Sequence, residues 1–319
     1  MELPSYRDLP EARGGRGRSA WHLFGPEDNA GLINLQTPER VAAAAREIRE
    51  GRMFNLNAPV SYFSPPLYGR NATAHRLIPD AGALSDGDGG FDDELDSFNP
   101  QAGRQWDSLA HVPASPGAFY NGVTVPQVRE AHRNTIGHWV AHGIAGRGVM
   151  LDAERFAGAP PGEAIGLTVD DLERCRREAG AEIEPGDILV LCTGFGRWYA
   201  GQPESARRAM ADDRVLTASG VEHTEAMAEY LWDLHVSAIV SDGPSVEVWP
   251  PDWHRAAQPF GFLHHTLIGL FGMALGELWW LADLADDCRS DGRYTMFLAS
   301  APLNVPGGVS SPANTVAFK

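Results

Sequence analysis

The chain has 319 residues, 43% of them hydrophobic, and a formal net charge of −16. That length and apolar content can bury a sizeable core, as one large domain or two coupled ones. The acidic balance repels phosphate backbones and gives no purchase on an anionic bilayer, which excludes nucleic acid and membrane surfaces as expected partners.

Residues 1–20 are rich in Gly, Arg and Pro and read as an arm that is ordered only by contact with something else. They lack the apolar stretch of a signal peptide. The run TPERVAAAAREIREGR from Thr37 is helical, with Thr37 as N-cap, Pro38 in the first turn and Gly51 where the helix would stop. Residues 79–98 are acidic and glycine-rich and read as a surface loop. ILVLC (188–192), SAIVSD (237–242) and YTMFLASAPL (294–303) read as buried strands, the second preceded by the helical pattern TEAMAEYLWDLH. Strands alternating with helices give an α/β core. No window approaches the ~20 apolar residues of a membrane helix. The three cysteines, Cys175, Cys192 and Cys288, form no C-x-x-C pair, which argues against disulfides and points to the cytoplasm.

Chemistry concentrates between Gln101 and His111. Gln101, Gln105, Asp107 and His111 all fall on odd positions and so share one face of an extended chain. A straight strand would spread them over roughly 33 Å, so they meet only if the chain turns. Asp107 offers a hard anionic oxygen suited to Zn²⁺ or Mn²⁺. His111 reads either as a ligand or as a general acid–base. The glutamines are weak neutral donors that could also hold a water or a substrate carbonyl. The bland alternative is a polar surface hairpin with an incidental histidine.

A second polar pair lies in LHHTLIGLFGMALGEL (263–278). In one helix His265 and Glu277 would lie ~18 Å apart, too far to share an ion. The glycines favour a short helix from about 264, a break near Gly272 and a strand ending at Glu277, followed by a helix from WWLADLADDC. That path returns Glu277 towards His265. The competing reading makes His265 a core histidine and Glu277 a helix cap.

Both segments together resemble the metal-dependent cyclase family, which includes bacterial kynurenine formamidases, isatin hydrolases and some polyketide cyclases. Its signature is H-x-G-T-H-x-D-x-P-x-H, followed far downstream by a His and, twelve residues on, a Glu. The resemblance extends through FGPEDNAGLINL (24–35), YNG (120–122), HGIAGRGVMLD (142–152), SDGPS (241–245) and APLNVPGGVSSPAN (301–314). It implies an α/β, swivelling β/β/α cyclase-like fold with a mixed sheet, here with an N-terminal arm and helix over 1–57 and the metal-hydrolase domain over 58–319. It also implies metal ligation by Asp107, His265 or His111, and Glu277, with His111 as proton shuttle where it does not ligate. Gln101 and Gln105 stand where the family has histidines. This variant is similar to a branch that includes trans-dienelactone hydrolase, and it implies one Zn²⁺ or Mn²⁺ ion, with Gln105 and Gln101 as weak ligands. Trp106, Tyr120 and Asn121 are the expected substrate contacts, although Asn121-Gly122 also suits a tight turn and tryptophan commonly packs cores.

The expected activity is hydrolysis of a small lactone, cyclic amide or formamide by a metal-activated water, with His111 as acid–base. The rivals are a non-hydrolytic polyketide-type cyclase or dehydratase and a metal-free binding protein on the same fold. No G-x-S-x-G elbow supports a serine nucleophile. A homodimer or homotetramer acting on a small molecule is the expected assembly.

Overall fold

Strands without alternation must be covered on both faces, and here they take the middle of one large sheet. A computed structural model describes residues 2–79 and 90–319. Among these, nine strands share a sheet: β1 (Met53–Asn55), β2 (Gln105–Asp107), β3 (Ile144–Asp152), β4 (Ile188–Cys192), β5 (Ala238–Ser241), β6 (Ala274–Glu277), β7 (Thr295–Ser300), β8 (Ser310–Ser311) and β9 (Thr315–Phe318). Their order is β1-β9-β7-β3-β4-β5-β6-β2-β8. The central four, β3 to β6, run parallel. The flanking pairs are antiparallel. This mixed α/β sheet bears out the expected fold class, and the three apolar runs read from sequence become β4, β5 and β7.

Helices cover the sheet through apolar stripes. Val169–Ala179 starts at a Thr168–Asp171 capping box, buries Leu172, Cys175 and Ala179, and stops at left-handed Gly180. Glu225–Asp233 is capped by Thr224. Thr37 caps Pro38–Ala44 as its sequence suggests, but that helix ends well before Gly51. The N-terminal arm finds its contact on the chain itself. Leu3, Tyr6 and Leu9 enter the core, and the Trp232 indole donates to the Pro4 carbonyl at 2.9 Å. The segment expected to be a loop instead has paired flanks, since Ala74–Pro79 and Phe91–Asp96 form an exposed antiparallel ribbon. Residues 80–89 of that segment lie outside the described residues. Among the described residues, no helix is long and apolar enough to cross a membrane.

Two features deliver the site residues to one end of the sheet. The first is Gly272, where φ is +70° and the chain turns from a helical turn into β6. A Cβ there would come within 2.5 Å of the Tyr120 ring. Gly272→Ala is therefore expected to cost about 2–3 kcal/mol in urea unfolding, combining backbone strain with the ring clash. A loss under about 0.5 kcal/mol would contradict this account.

The second is the turn after β5, held by Asp242, whose carboxylate accepts from the Thr193 amide and hydroxyl at 2.7 and 2.8 Å. Burial pushes this carboxyl from 3.8 up to about 6, against the pull of the Thr193 hydrogen bonds. The folded state thus holds the proton more tightly than the unfolded chain, and its stability falls as pH rises through that window. Asp242→Asn should remove this slope, so the variant gains on the wild type between pH 4 and 6 in parallel urea titrations. Parallel curves would show that Asp242 does not titrate there.

Candidate metal centre

β2 and β6 lie side by side with Gln105 opposite Glu277 and Asp107 opposite Leu275. Alternation along a strand puts Gln105, Asp107 and Glu277 on one face. The turn before Thr266 adds His264, whose ring stacks on Phe262 at 4.4 Å and 8°. One donor atom from each of Asp107, His264 and Glu277 lies within 4.8 Å of the others, and all three residues are buried. His264 Nε2 is 3.1 Å from Glu277 Oε1, and its Nδ1 is 2.8 Å from Glu247 Oε1.

Buried charge dictates the rest of the arrangement. Burial raises the Asp107 carboxyl, His111 pulls it back, and the Glu277 carboxylate raises it further; the net shift is upward. Burial opposes the charged form of His264, but Glu247 and Glu277 outweigh it and hold its pKa well above the imidazole range. Gln105 Nε2 donates to Asp107 and Glu277 at 2.9 Å each and tethers two carboxylates that would otherwise repel. Asp107 Oδ1, Gln105 Oε1 and Glu247 Oε2 are buried with no hydrogen-bond partner. Unpaired buried carboxylate oxygens are costly and call for a cation. Two carboxylates and one imidazole with orphaned oxygens fit a divalent ion.

His111 closes the open side. Its Nε2 is 3.8 Å from Asp107 Oδ1, and 23% of its side chain is exposed, against 0% for Asp107. Gln101 bonds its other nitrogen, Nδ1, at 2.8 Å. The chain turns after β2 as required, with the His111 amide bonded to the Ser108 carbonyl.

A family model described as putative cyclase matches residues 54–248. The chain belongs to the putative cyclase family. A crystal structure described as a novel cyclase superposes with a TM-score of 0.83 at 29% identity, covering 94% of this chain and 99% of that one. Isatin hydrolase A from Labrenzia aggregata, bound to benzyl benzoate, gives 0.59 at 15% identity, over 83% of this chain and 93% of its own. Isatin hydrolase A from Ralstonia solanacearum gives 0.58 at 17%, over 88% and 97%. These last two likenesses are of fold. No curated protein matches the sequence.

In this member of the putative cyclase family the cluster imidazole is His264, not the expected His265. His264 stands just before a π turn, His265–Leu270, thirteen residues ahead of Glu277, and His265 faces elsewhere, bonding the Pro113 carbonyl at 2.6 Å. Gln101 reaches His111 rather than the cluster. Trp106 points to the opposite face of β2, packs edge-on against Trp139 and Trp279, and bonds Ser300. Tyr120 bonds Asp28, and Asn121 binds the His22 amide and the Gly25 and Asp28 carbonyls with its own φ at 60°. All three expected substrate contacts are thus part of the framework.

Glu247 was missed by the sequence reading. A lone carboxylate inside the apolar run Val246–Trp249 was its available signal, because such a group is rarely buried without a partner. A second acidic group, Asp152, Glu154 and Cys192, also clusters. There the Arg289 guanidinium fills the cation position, bonding both Asp152 oxygens at 2.7 Å and Glu154 at 2.6 Å.

Proposed function

We propose that the chain is a metal-dependent hydrolase that opens a small lactone, cyclic amide or formamide. The observation that carries this reading is the buried Asp107–His264–Glu277 cluster, with an orphaned Asp107 oxygen facing a partly exposed histidine. Asp107, His264 and Glu277 would hold one Zn²⁺ or Mn²⁺ ion. When bound, such an ion supplies a Lewis acid for the acyl carbonyl and a potent nucleophile at neutral pH.

The chain's own residues do the remaining work. Glu247 accepts from His264 Nδ1 and so aims Nε2 at the cluster, where an ion would take the place of the Nε2 proton, the usual carboxylate–histidine support of a metal ligand. His111 Nε2 takes the proton of the attacking water and returns it to the leaving group. Gln101 suits this shuttle with its amide turned so that the oxygen accepts from Nδ1–H, the tautomer that leaves the Nε2 lone pair free to take the proton. The two glutamines also resemble the branch containing trans-dienelactone hydrolase, which makes lactones the first substrates to test.

Purified protein should carry close to one Zn or Mn per chain by elemental analysis. It should turn over at least one member of a panel of lactones, cyclic imides and formamides, and a chelator should abolish that turnover. Full activity in metal-free protein would end the proposal. Turnover restricted to β-keto chains, without hydrolysis, would move the reading to a cyclase or dehydratase.

A further inference from the structure

Residues 11–18 form a small hairpin, with Glu11 bridged to Arg18 and the Ala12 amide bonded to the Gly17 carbonyl. With the loop from Trp253 to Pro259 it borders a cavity of about 850 Å³, within the range of ligand pockets. Three guanidiniums line it, Arg13, Arg16 and Arg255. Arg16 bonds the Ala256 carbonyl and Arg13 lies 5.7 Å over the Trp21 ring. Among the described residues none of the three pairs with a carboxylate, whereas Arg147, Arg176 and Arg289 all do. In a chain with 42 acidic and 26 basic residues, three unpaired cations around one cavity give it a locally positive lining.

The walls add shape. Trp253 is 60% exposed and Trp21 faces the same space. Both indoles line the cavity, and Trp253 offers it an exposed flat face for a planar ring. His265 supplies a hydrogen-bond acceptor to the same cavity. The Pro113 carbonyl can only accept, so His265 Nδ1 carries the hydrogen and Nε2 keeps its lone pair. Trp253 packs on Phe262 at 5.0 Å and Phe262 stacks on His264, so one aromatic ring stands between the cavity wall and the metal-centre imidazole.

We propose that this cavity binds a small planar aromatic carboxylate, with its ring against Trp21 and Trp253 and its carboxylate on the arginines. Its role as the substrate's binding site rests on the hydrolase reading above, and names an anionic aromatic acyl compound as the substrate class. Guanidinium suits this role because it meets a carboxylate with two parallel hydrogen bonds.

The test is calorimetric titration of the full chain, in chelator and low salt, with 2-naphthoate and its neutral analogue 2-naphthamide. The acid should bind at least about tenfold tighter than the amide. The double variant Arg13→Gln, Arg255→Gln should erase that preference, and Trp253→Ala should weaken both probes alike. Equal binding of acid and amide, no binding of the acid up to its solubility limit, or a preference that survives the double variant would each overturn the proposal. Asp107→Asn should leave naphthoate binding intact, which separates the two readings. Selective naphthoate binding by a protein without hydrolase activity defeats only the hydrolase. Hydrolysis of neutral lactones without any naphthoate preference defeats only the cavity.

Discussion

Asp107→Asn is expected to strip the metal and lower kcat/KM by about 10³-fold, while leaving the metal-free protein at least as stable as the wild type. The first half follows from ligation, since several kcal/mol of transition-state stabilisation depend on the ion and ~1.4 kcal/mol is a decade of rate. The second half follows from the cost of the site without an ion. Asp107 is fully buried, close to a second carboxylate, with one oxygen unpaired. Asparagine keeps the shape and still accepts from Gln105, but removes a buried charge whose burial works against folding. Elemental analysis, kinetics and thermal melting in chelator read the three quantities. A variant that keeps metal and activity would remove Asp107 from the centre. A large drop in metal-free stability would mean that its charge supports the fold.

This opposition between stability and chemistry explains what the sequence could reveal. ILVLC and the centre of SAIVSD announce buried strands because they are continuous apolar runs with no alternation, and they are β4 and β5. Glu277 at the end of an apolar strand stands out for the same reason, and Gly272 marks the bend that delivers it. The choice between His264 and His265 was not legible. Adjacent histidines differ only in which way the backbone points them, and that direction is settled by tertiary partners, Glu247 for His264 and the Pro113 carbonyl for His265. The placement of Trp106, by contrast, was legible from alternation alone. It sits between Gln105 and Asp107, and alternation on a strand sends it to the opposite face. Glu247 reaches His264 across 17 residues, a pairing that no local period encodes.

His111→Ala is expected to lower kcat by about 10²–10⁴-fold with metal content unchanged, the range for losing a positioned proton carrier. In the proposed mechanism His111 has this role rather than ligation. His111 Nε2 stands 3.8 Å from Asp107 Oδ1, while its side chain is the one partly exposed to incoming substrate and is not a member of the three-residue donor cluster. Gln101 tests the same idea from behind the ring. Gln101→Leu removes the Nδ1 partner and leaves the ring free to turn, so a smaller loss is expected, again with metal retained. Gln101→Asn, which keeps the amide on a shorter stem, should recover part of it if the hydrogen bond matters. KM should move little in either series, because neither residue lines the cavity proposed to hold the body of the substrate. Loss of metal in His111→Ala would make that histidine a ligand. Full activity in Gln101→Leu would show that the ring is held by other contacts.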